Sequence, residues 1–387
     1  MKRILFVICI MAASANLPAP LFPIYQSHFN LNNFDLTLLF AIYTACMLPS
    51  LLISTSLVKR NGTKPVVFTG VILAIISSII FILTKEAWML YFARAVEGTA
   101  LGIFMGTSNG LLIKNSSNIT KALSLSGIMT LFGFGVGPFI SGLIAQYINI
   151  NPYVLPYIVL MVLLIIAAII LSTVKKGEEE INKKEKIKFS LGIPKNSKIL
   201  FLMFICPTIF IMLALNGVVI SLIPIFVRNI LKSSNLAYSG ILLMIFLGGG
   251  FMAQLIRVPR EKEKRIQIGI VLLILGTWIV IESGIRVNMI LLFLGMIILA
   301  FGNGLTFQSS IQLAGMISTK EESSSVISTY YLAGYTGMAV PTIGIGILSV
   351  LLGLMTSLII FGVIITILGI VLVLSPRFIK EKKLDIK

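Results

Sequence analysis

The chain is a succession of apolar runs, each about 20 residues long, that fill nearly its whole length. The twelve runs lie at 4–25, 36–57, 66–84, 88–112, 122–148, 154–174, 199–227, 236–257, 267–283, 288–315, 325–347 and 353–375. An α-helix of that length crosses the hydrocarbon core of a bilayer and bonds all of its own backbone groups. The pattern therefore predicts an all-α membrane protein with 12 transmembrane helices.

The basic residues predict the orientation of these helices. Of the 31 Lys and Arg, 26 fall in segments on one side of the predicted membrane, four fall on the other side, and Arg94 lies within a span. Because cytoplasmic loops are enriched in Lys and Arg, we expect both termini to be cytoplasmic. The net charge of +17 then reflects residues near anionic headgroups, not a nucleic-acid surface.

One polar segment divides the chain. Residues 175–198 carry eight Lys and four Glu, and no other interior segment is as long and as polar. We interpret them as a cytoplasmic linker between an N-terminal six-helix bundle, 1–174, and a C-terminal six-helix bundle, 199–387. The start of the chain has features of a signal peptide, but its apolar run is longer than a typical one, and we expect it to stay as the first span.

Weak sequence similarities between the two halves of the chain support two parallel repeats. The tripeptide that starts at Pro23 recurs at Pro224, and the Gly-aromatic pair that starts at Gly133 recurs at Gly334. Both pairs are separated by 201 residues. Individually such matches mean little, but the equal spacing on either side of the linker favours a duplicated six-helix unit.

The fifth run contains a dense cluster of glycines. Residues 133–142 read GFGVGPFISG. Gly133 and Gly137 have the spacing that lets another helix approach closely, and Pro138 removes a backbone donor and kinks the helix. The stretch resembles the helix 5 antiporter signature of major facilitator superfamily exporters, with Gly142 retained and Ser141 in place of a glycine. Plain helix packing explains the glycines equally well.

The loop after the second run resembles a second motif of the same family. Arg60, Gly62 and Lys64 match the family's loop 2–3 pattern, whereas Lys59 stands where the family has an acidic residue. The resemblance implies a conformational role for this loop. Because Lys59 reverses the sign of that charge, the charge contact that the acid makes in the family must be altered or absent. A basic cytoplasmic turn explains the lysines equally well, but it does not explain the Arg-x-Gly-x-Lys spacing before a new helix.

The fourth run carries two charges and four glycines. Arg94 and Glu97 are three residues apart, so they can pair on one helix face, and charges at this depth usually face the bundle interior or a cavity. The run resembles the family's helix 4 motif, which is associated with proton coupling, with Glu97 in place of a glutamine. A static ion pair is the alternative. We predict Glu97 as the proton site, Arg94 as its partner and Asp35 as the reserve site.

Polar residues within the runs are candidates for a substrate pathway. Intramembrane amides and phenols can line a cavity or join neighbouring helices. Three prolines after Asn16 rule out a straight first helix, and discontinuous helices tend to line substrate sites. The predicted pathway residues are Asn16, Tyr25, Asn216, Asn303, Gln308 and Tyr331.

Several chemistries have no support in the sequence. There is one histidine, outside the runs, no phosphate-binding loop and no spacing typical of a metal site. The three cysteines lie within apolar runs and are expected to pack as small hydrophobic residues. We therefore expect no enzyme activity, no metal, no cofactor and no nucleic-acid partner.

The resemblance to the major facilitator superfamily covers the whole chain and is greatest with its bacterial, twelve-helix, drug-exporter-like branch. It implies alternating access by a monomer in the bacterial cell membrane, with proton-coupled export of a small amphipathic molecule. Two alternatives remain open. One is a facilitator or importer of a small nutrient on the same fold, and the other is a membrane sensor or assembly subunit that transports nothing.

Overall fold

The computed structural model describes residues 1–148, 150–174, 191–254, 261–319 and 322–384, and within these ranges the chain forms helices and no strand. The prediction of an all-α protein is confirmed. The first six main helices are α1 (Lys2–His28), α2 (Asn33–Asn61), α3 (Thr63–Ile82), α4 (Ala87–Met105), α5 (Ile119–Tyr147) and α6 (Leu155–Ser172). The next six are α7 (Lys198–Asn229), α8 (Leu236–Gly248), α9 (Lys262–Ile285), α10 (Met289–Met316), α11 (Ser323–Leu352) and α12 (Leu354–Leu384).

These helices match the twelve predicted runs one for one. Within the described residues, ten of them are long and apolar enough to cross a membrane. The other two are α4, which spans 19 residues and carries the two charges, and the shorter apolar helix α8. Two short helices, Ser108–Lys114 and Gly249–Gln254, follow α4 and α8 directly.

Helix α1 is broken where its prolines begin. The α-helical part ends at Asn16, a single 3₁₀ turn follows, and the α-helix resumes at Phe22. Pro18 has no N–H to give to the helix. The N–H of Leu21 bonds to the oxygen of Pro18 at 2.9 Å, so it does not continue the α-helical pattern back to Leu17. The break therefore leaves main-chain oxygens near Leu17 available to side chains.

Tertiary contacts divide the chain into two compact units. The first unit comprises the described residues of Met1–Phe189 and Ser234–Gly248, and the second comprises those of Ser190–Ser233 and Gly249–Lys387. In the first unit α1 packs on α5, α4 packs on α2 and α3, α3 packs on α6, and α5 also packs on α8. In the second unit α7 packs on α11, and α9 packs on α10 and α12.

Three pairs of helices pack in a corresponding way in the two units. The pairs α1–α5, α3–α4 and α3–α6 of the first unit correspond to α7–α11, α9–α10 and α9–α12 of the second. This is the arrangement that the 201-residue spacing favours. The predicted bundle boundaries at 174 and 199 stay a prediction, since residues 175–190 lie outside the described part of the chain.

Candidate functional site

A buried ion pair lies inside the first unit. Arg94 and Glu97 stand on adjacent turns of α4, and Arg94 Nη1 lies 2.6 Å from Glu97 Oε2. The two side chains are only 2% and 3% exposed. Moving charges out of water is costly unless further hydrogen bonds compensate for the loss. The surroundings of Arg94 therefore decide whether the pair is stable.

The guanidinium of Arg94 also bonds to two other helices. Nη1 donates to the main-chain oxygen of Ala15 on α1, and Nε donates to that of Leu39 on α2, both at 3.3 Å. The ring of Tyr43 on α2 lies 4.4 Å below the guanidinium carbon, a cation–π distance. A single side chain thus connects α4 with α1 and α2 at the level of Glu97.

The break in α1 is bonded from a second direction. Ser141 on α5 donates its hydroxyl to the main-chain oxygen of Leu17 at 2.7 Å, and Ser141 is fully buried. The oxygens of Ala15 and Leu17, on either side of Asn16, therefore accept from α4 and α5 respectively. The sequence marked Ser141 only as a departure from the glycine pattern. A serine on the helix that faces a proline-broken helix was the available signal.

Two tyrosine hydroxyls meet inside the first unit. Tyr25, at the outer part of α1, donates to the hydroxyl of Tyr157 on α6 at 2.8 Å, and both rings are buried. Phe81 of α3 stacks on Tyr157 with ring centroids 4.3 Å apart. Tyr157 was not predicted, because nothing in its local sequence marks it.

The glycines of α4 pack against α2. A methyl group added at Gly98 would overlap the main-chain oxygen of Tyr43, and one added at Gly102 would overlap that of Met47. The backbones of the two helices are therefore in direct contact. This contact brings the Tyr43 ring and the Leu39 oxygen within reach of Arg94.

The first two glycines of the α5 motif face α1. A methyl group at Gly133 would overlap the main-chain oxygen of Cys9, and one at Gly137 would overlap that of Ala13. Helix α5 therefore runs in backbone contact with the part of α1 that precedes the break. This close approach also lets the short side chain of Ser141 reach α1.

The remaining part of the α5 motif faces α8. A methyl group at Gly142 would lie 2.9 Å from the oxygen of Leu236, and one at Gly240 would lie 2.6 Å from the oxygen of Pro138. Beyond the motif, Gln146 Oε1 accepts from the Leu236 N–H at 2.8 Å and so caps the start of α8. Helix α5 thus presents one small-residue face to α1 and another to α8.

Asp35 has a structural role at the start of α2. Its carboxylate accepts from the backbone N–H of Asn32 at 2.8 Å, while the Asn32 side chain accepts from the Asp35 N–H at 3.0 Å, which makes a capping box. The hydroxyl of Tyr91 on α4 donates to the same carboxylate at 3.3 Å. These contacts account for Asp35 as a helix cap.

The loop 2–3 residues lie where α2 ends and α3 begins. Gly62 has a φ of 87°, which favours glycine. Lys64 donates to the main-chain oxygens of Ser172 and Val174, at 2.8 Å for Ser172, and so attaches α3 to the end of α6. Arg60 is exposed in the last turn of α2. The positive charges of Lys64 and Arg60 lie beside helix C-termini, where the helix dipole makes a cation favourable.

The predicted pathway residues fall in both units. Asn16 and Tyr25 lie in the first unit, where Asn16 is buried beside the α1 break. The other four lie in the second unit. Asn216 Oδ1 and Asn303 Oδ1 are buried and have no hydrogen-bond partner among the described residues. Tyr331 stacks on Tyr335 with ring centroids 6.1 Å apart.

Gln308 is held by a neighbouring cation, accepting from Arg265 Nη2 at 2.7 Å. Within the described part of the chain, no three His, Cys, Asp or Glu side chains cluster so that they could hold a metal ion.

Known proteins resemble the chain in sequence. The quinolone resistance protein NorA of Staphylococcus aureus is 25% identical over 150 residues. This stretch covers 38% of the present chain and 39% of NorA, so the chain matches about two fifths of the length of these curated relatives.

Solved structures resemble the chain over nearly its whole length. The nucleoside transporter NupG has a TM-score of 0.80 at 11% identity and covers 96% of this chain and 98% of its own. A POT family transporter in complex with 5-aminolevulinic acid has a TM-score of 0.79 at 14% identity and covers 97% and 96%. At these identities the likeness shows the fold alone. The sequence profile of the Major Facilitator Superfamily matches residues 4–342, and the chain belongs to this superfamily of membrane transporters.

Proposed function

We propose that this protein is a proton-coupled secondary transporter that exports a small amphipathic, drug-like molecule by alternating access in the bacterial cell membrane. The observation that carries the proposal is the Arg94–Glu97 pair, buried in α4 and bonded to the broken α1. Intramembrane charges are costly and typically functional. The partial match to NorA and the glycine motif of α5 support export.

Glu97 is the proton site in this proposal. Among the described residues, it is the only acidic side chain that is buried. Protonation neutralises the carboxylate and removes most of its attraction for Arg94. Arg94 stays charged, but its guanidinium, which donates to the main-chain oxygens of Ala15 and Leu39, is then no longer held in place by the carboxylate. A proton on Glu97 therefore changes how strongly Arg94 holds α1 and α2 to α4.

The α1 break is the element that responds. Its oxygens accept from Arg94 on one side and from Ser141 on the other. A discontinuous helix can change between two arrangements at a lower free-energy cost than a continuous one, because its backbone hydrogen bonds are already interrupted. Loosening Arg94 leaves α1 held by α5 through Ser141 and Gly137, so the proton biases which neighbour α1 follows.

The substrate is expected to contact polar groups of the second unit. Asn216 Oδ1 and Asn303 Oδ1, which have no hydrogen-bond partner among the described residues, favour a molecule with N–H or O–H donors. The stacked rings of Tyr331 and Tyr335 favour one with a flat apolar part. These features fit an amphipathic molecule. Asn16 and Tyr25 are the proposed contacts in the first unit.

Uptake of a nutrient is the second candidate. Transporters of nucleosides and of peptides are among the structures that share this fold, and buried amides also suit such polar substrates. In that case the same proton site would drive uptake, and substrate would accumulate inside cells that express the protein.

The test is accumulation of fluorescent probes in bacteria that lack their own exporters. A fluorescent quinolone, a lipophilic cation and a lipophilic anion are each given to cells with wild-type protein, Glu97→Gln protein or no transporter, with and without a protonophore. The proposal predicts low accumulation with wild type that rises with protonophore and with Glu97→Gln alone. Equal accumulation in wild-type and empty cells for all probes would remove the drug-export proposal, and higher accumulation with wild type would favour uptake.

A further inference from the structure

The described part of the second unit contains a buried cation without an acidic partner. Arg265 lies in the first turn of α9 and is 4% exposed. Its Nη2 donates to Gln308 Oε1 at 2.7 Å, while its Nε has no hydrogen-bond partner among the described residues. The acid one turn before it, Glu261, instead pairs with the exposed Lys264 at 3.2 Å. The charge of Arg265 is thus not balanced by a carboxylate in the described chain.

Two buried hydroxyls on α10 resemble Arg265 Nε in lacking a hydrogen-bond partner among the described residues. Thr306 Oγ1 and Ser309 Oγ are fully buried and have no hydrogen-bond partner within the described residues. They are three residues apart, so they lie on one face of α10. That face meets α9, because a methyl group added at Gly269 would overlap Thr306 Oγ1. Gly269 follows Arg265 by one helical turn and lies on the same face of α9.

Buried polar groups without partners are unusual and need a physical explanation. A buried guanidinium that lacks a counter-ion is costly, and each buried hydroxyl without a bond adds to the cost. An anion with several acceptor oxygens would satisfy all three groups together, since Arg265 Nε and both hydroxyls can donate. A neutral ligand would leave the charge uncompensated.

We propose that Arg265, Thr306 and Ser309 form an oxyanion-binding site between α9 and α10, and that its ligand is a phosphate group. Gln308 holds the guanidinium through Nη2, and Nε remains available to donate. Phosphate is expected because the basic residues of the sequence around the start of α9, from Arg257 to Arg265, predict that this end of the helix lies at headgroup level. Free inorganic phosphate and the headgroup of phosphatidylglycerol supply the same chemistry there.

The test is the thermal stability of full-length, delipidated protein in maltoside micelles. Inorganic phosphate is titrated in one arm and phosphatidylglycerol in the other, against chloride at equal ionic strength and against phosphatidylcholine. We expect a saturable rise in melting temperature in at least one arm. A rise with inorganic phosphate identifies a free-anion site, and a rise with phosphatidylglycerol alone identifies a lipid site.

Variants connect the effect to the site. Arg265→Gln and Thr306→Val should each raise the midpoint concentration about tenfold or more, since charge-assisted bonds are the stronger ones. Lys264→Gln removes the neighbouring exposed charge and should leave the midpoint unchanged. If Arg265→Gln does not fold, Thr306→Val decides, because removing an unbonded hydroxyl need not destabilise the protein. No saturable stabilisation, or an equal midpoint in Thr306→Val, would overturn the proposal, and neither result bears on proton coupling at Glu97.

Discussion

Ser141 of α5 donates a hydrogen bond to the main-chain oxygen of Leu17 at the break of α1, with a distance of 2.7 Å between the two oxygens. Most exposed polar contacts add little, but this one lies in a fully buried position. It satisfies an oxygen that the α-helical pattern does not reach, because Leu21 bonds to Pro18 instead. The serine that departs from the glycine motif therefore stabilises the discontinuity of α1.

Replacing this serine should weaken the fold at the break. Ser141→Ala leaves the Leu17 oxygen buried without its donor, and we expect a loss of about 1 kcal/mol in the free energy of unfolding. Thermal denaturation in detergent measures it. Ser172→Ala is the matched control, since among the described residues its exposed hydroxyl bonds only to Ile169 within its own helix. Equal melting temperatures for Ser141→Ala and wild type would show that the bond contributes nothing.

The contact between α5 and α1 should leave no room for a side chain at Gly137. Gly137→Ala places a methyl group on the main-chain oxygen of Ala13, and overpacking of this kind costs about 1–3 kcal/mol. Gly127→Ala on the same helix meets no atom within 4 Å and should not destabilise. Melting temperatures and transport of the two variants are compared. A Gly137→Ala protein as stable and active as Gly127→Ala would mean that the helices do not approach this closely.

Removing one member of the buried ion pair should be more damaging than removing both charges. Arg94→Ala leaves Glu97 buried without its counter-ion, and Ala15 and Leu39 lose a donor. Breaking a buried pair costs about 3–5 kcal/mol. The double variant Arg94→Ala with Glu97→Ala should recover part of this loss. If the double variant is less stable than Arg94→Ala by the full cost of Glu97→Ala, the two residues do not interact.

Substitutions at Asp35 and Glu97 should have opposite effects on stability and on the proton dependence of transport. Asp35→Ala removes the capping box of α2 and should cost about 1 kcal/mol of stability, yet transport should still depend on the proton gradient. Glu97→Gln should have the opposite pattern, with stability largely kept and gradient dependence lost. Melting temperature and protonophore sensitivity are measured for both. Gradient dependence that disappears in Asp35→Ala would make Asp35 a proton site after all.

The sequence predicted the helices well because membrane spans have a strong local signal. The length of an apolar run is set by the thickness of the bilayer, and proline and glycine act on the backbone of their own helix. Both signals can therefore be read without knowing the tertiary contacts. The Arg94–Glu97 pair was also predictable, since three-residue spacing on one helix fixes the geometry. Polar groups such as Asp35 at a span end gave no comparable guidance, because the same carboxylate serves as a cap or as a proton site.

Contacts between distant segments could not be predicted in this way. The partners of Arg94 on α1 and α2 are main-chain oxygens, which every residue possesses. Tyr157 acquires its role only because α6 brings it to Tyr25. Arg265, which has no acidic partner among the described residues, looked in the sequence like one more basic loop residue. In each case the informative quantity is burial relative to other helices, which a single sequence does not contain.

Proton exchange through Glu97 is tested most directly in proteoliposomes loaded with a pH-sensitive dye. The fluorescent quinolone is supplied on one side only, and proton movement is recorded for wild type, Glu97→Gln and the helix-cap variant Asp35→Ala. We predict that the quinolone gradient drives protons the opposite way in wild type and in Asp35→Ala. Glu97→Gln should move no protons while still exchanging quinolone across the membrane. Quinolone-driven proton movement in Glu97→Gln equal to that of wild type would contradict the assignment of Glu97 as the proton site.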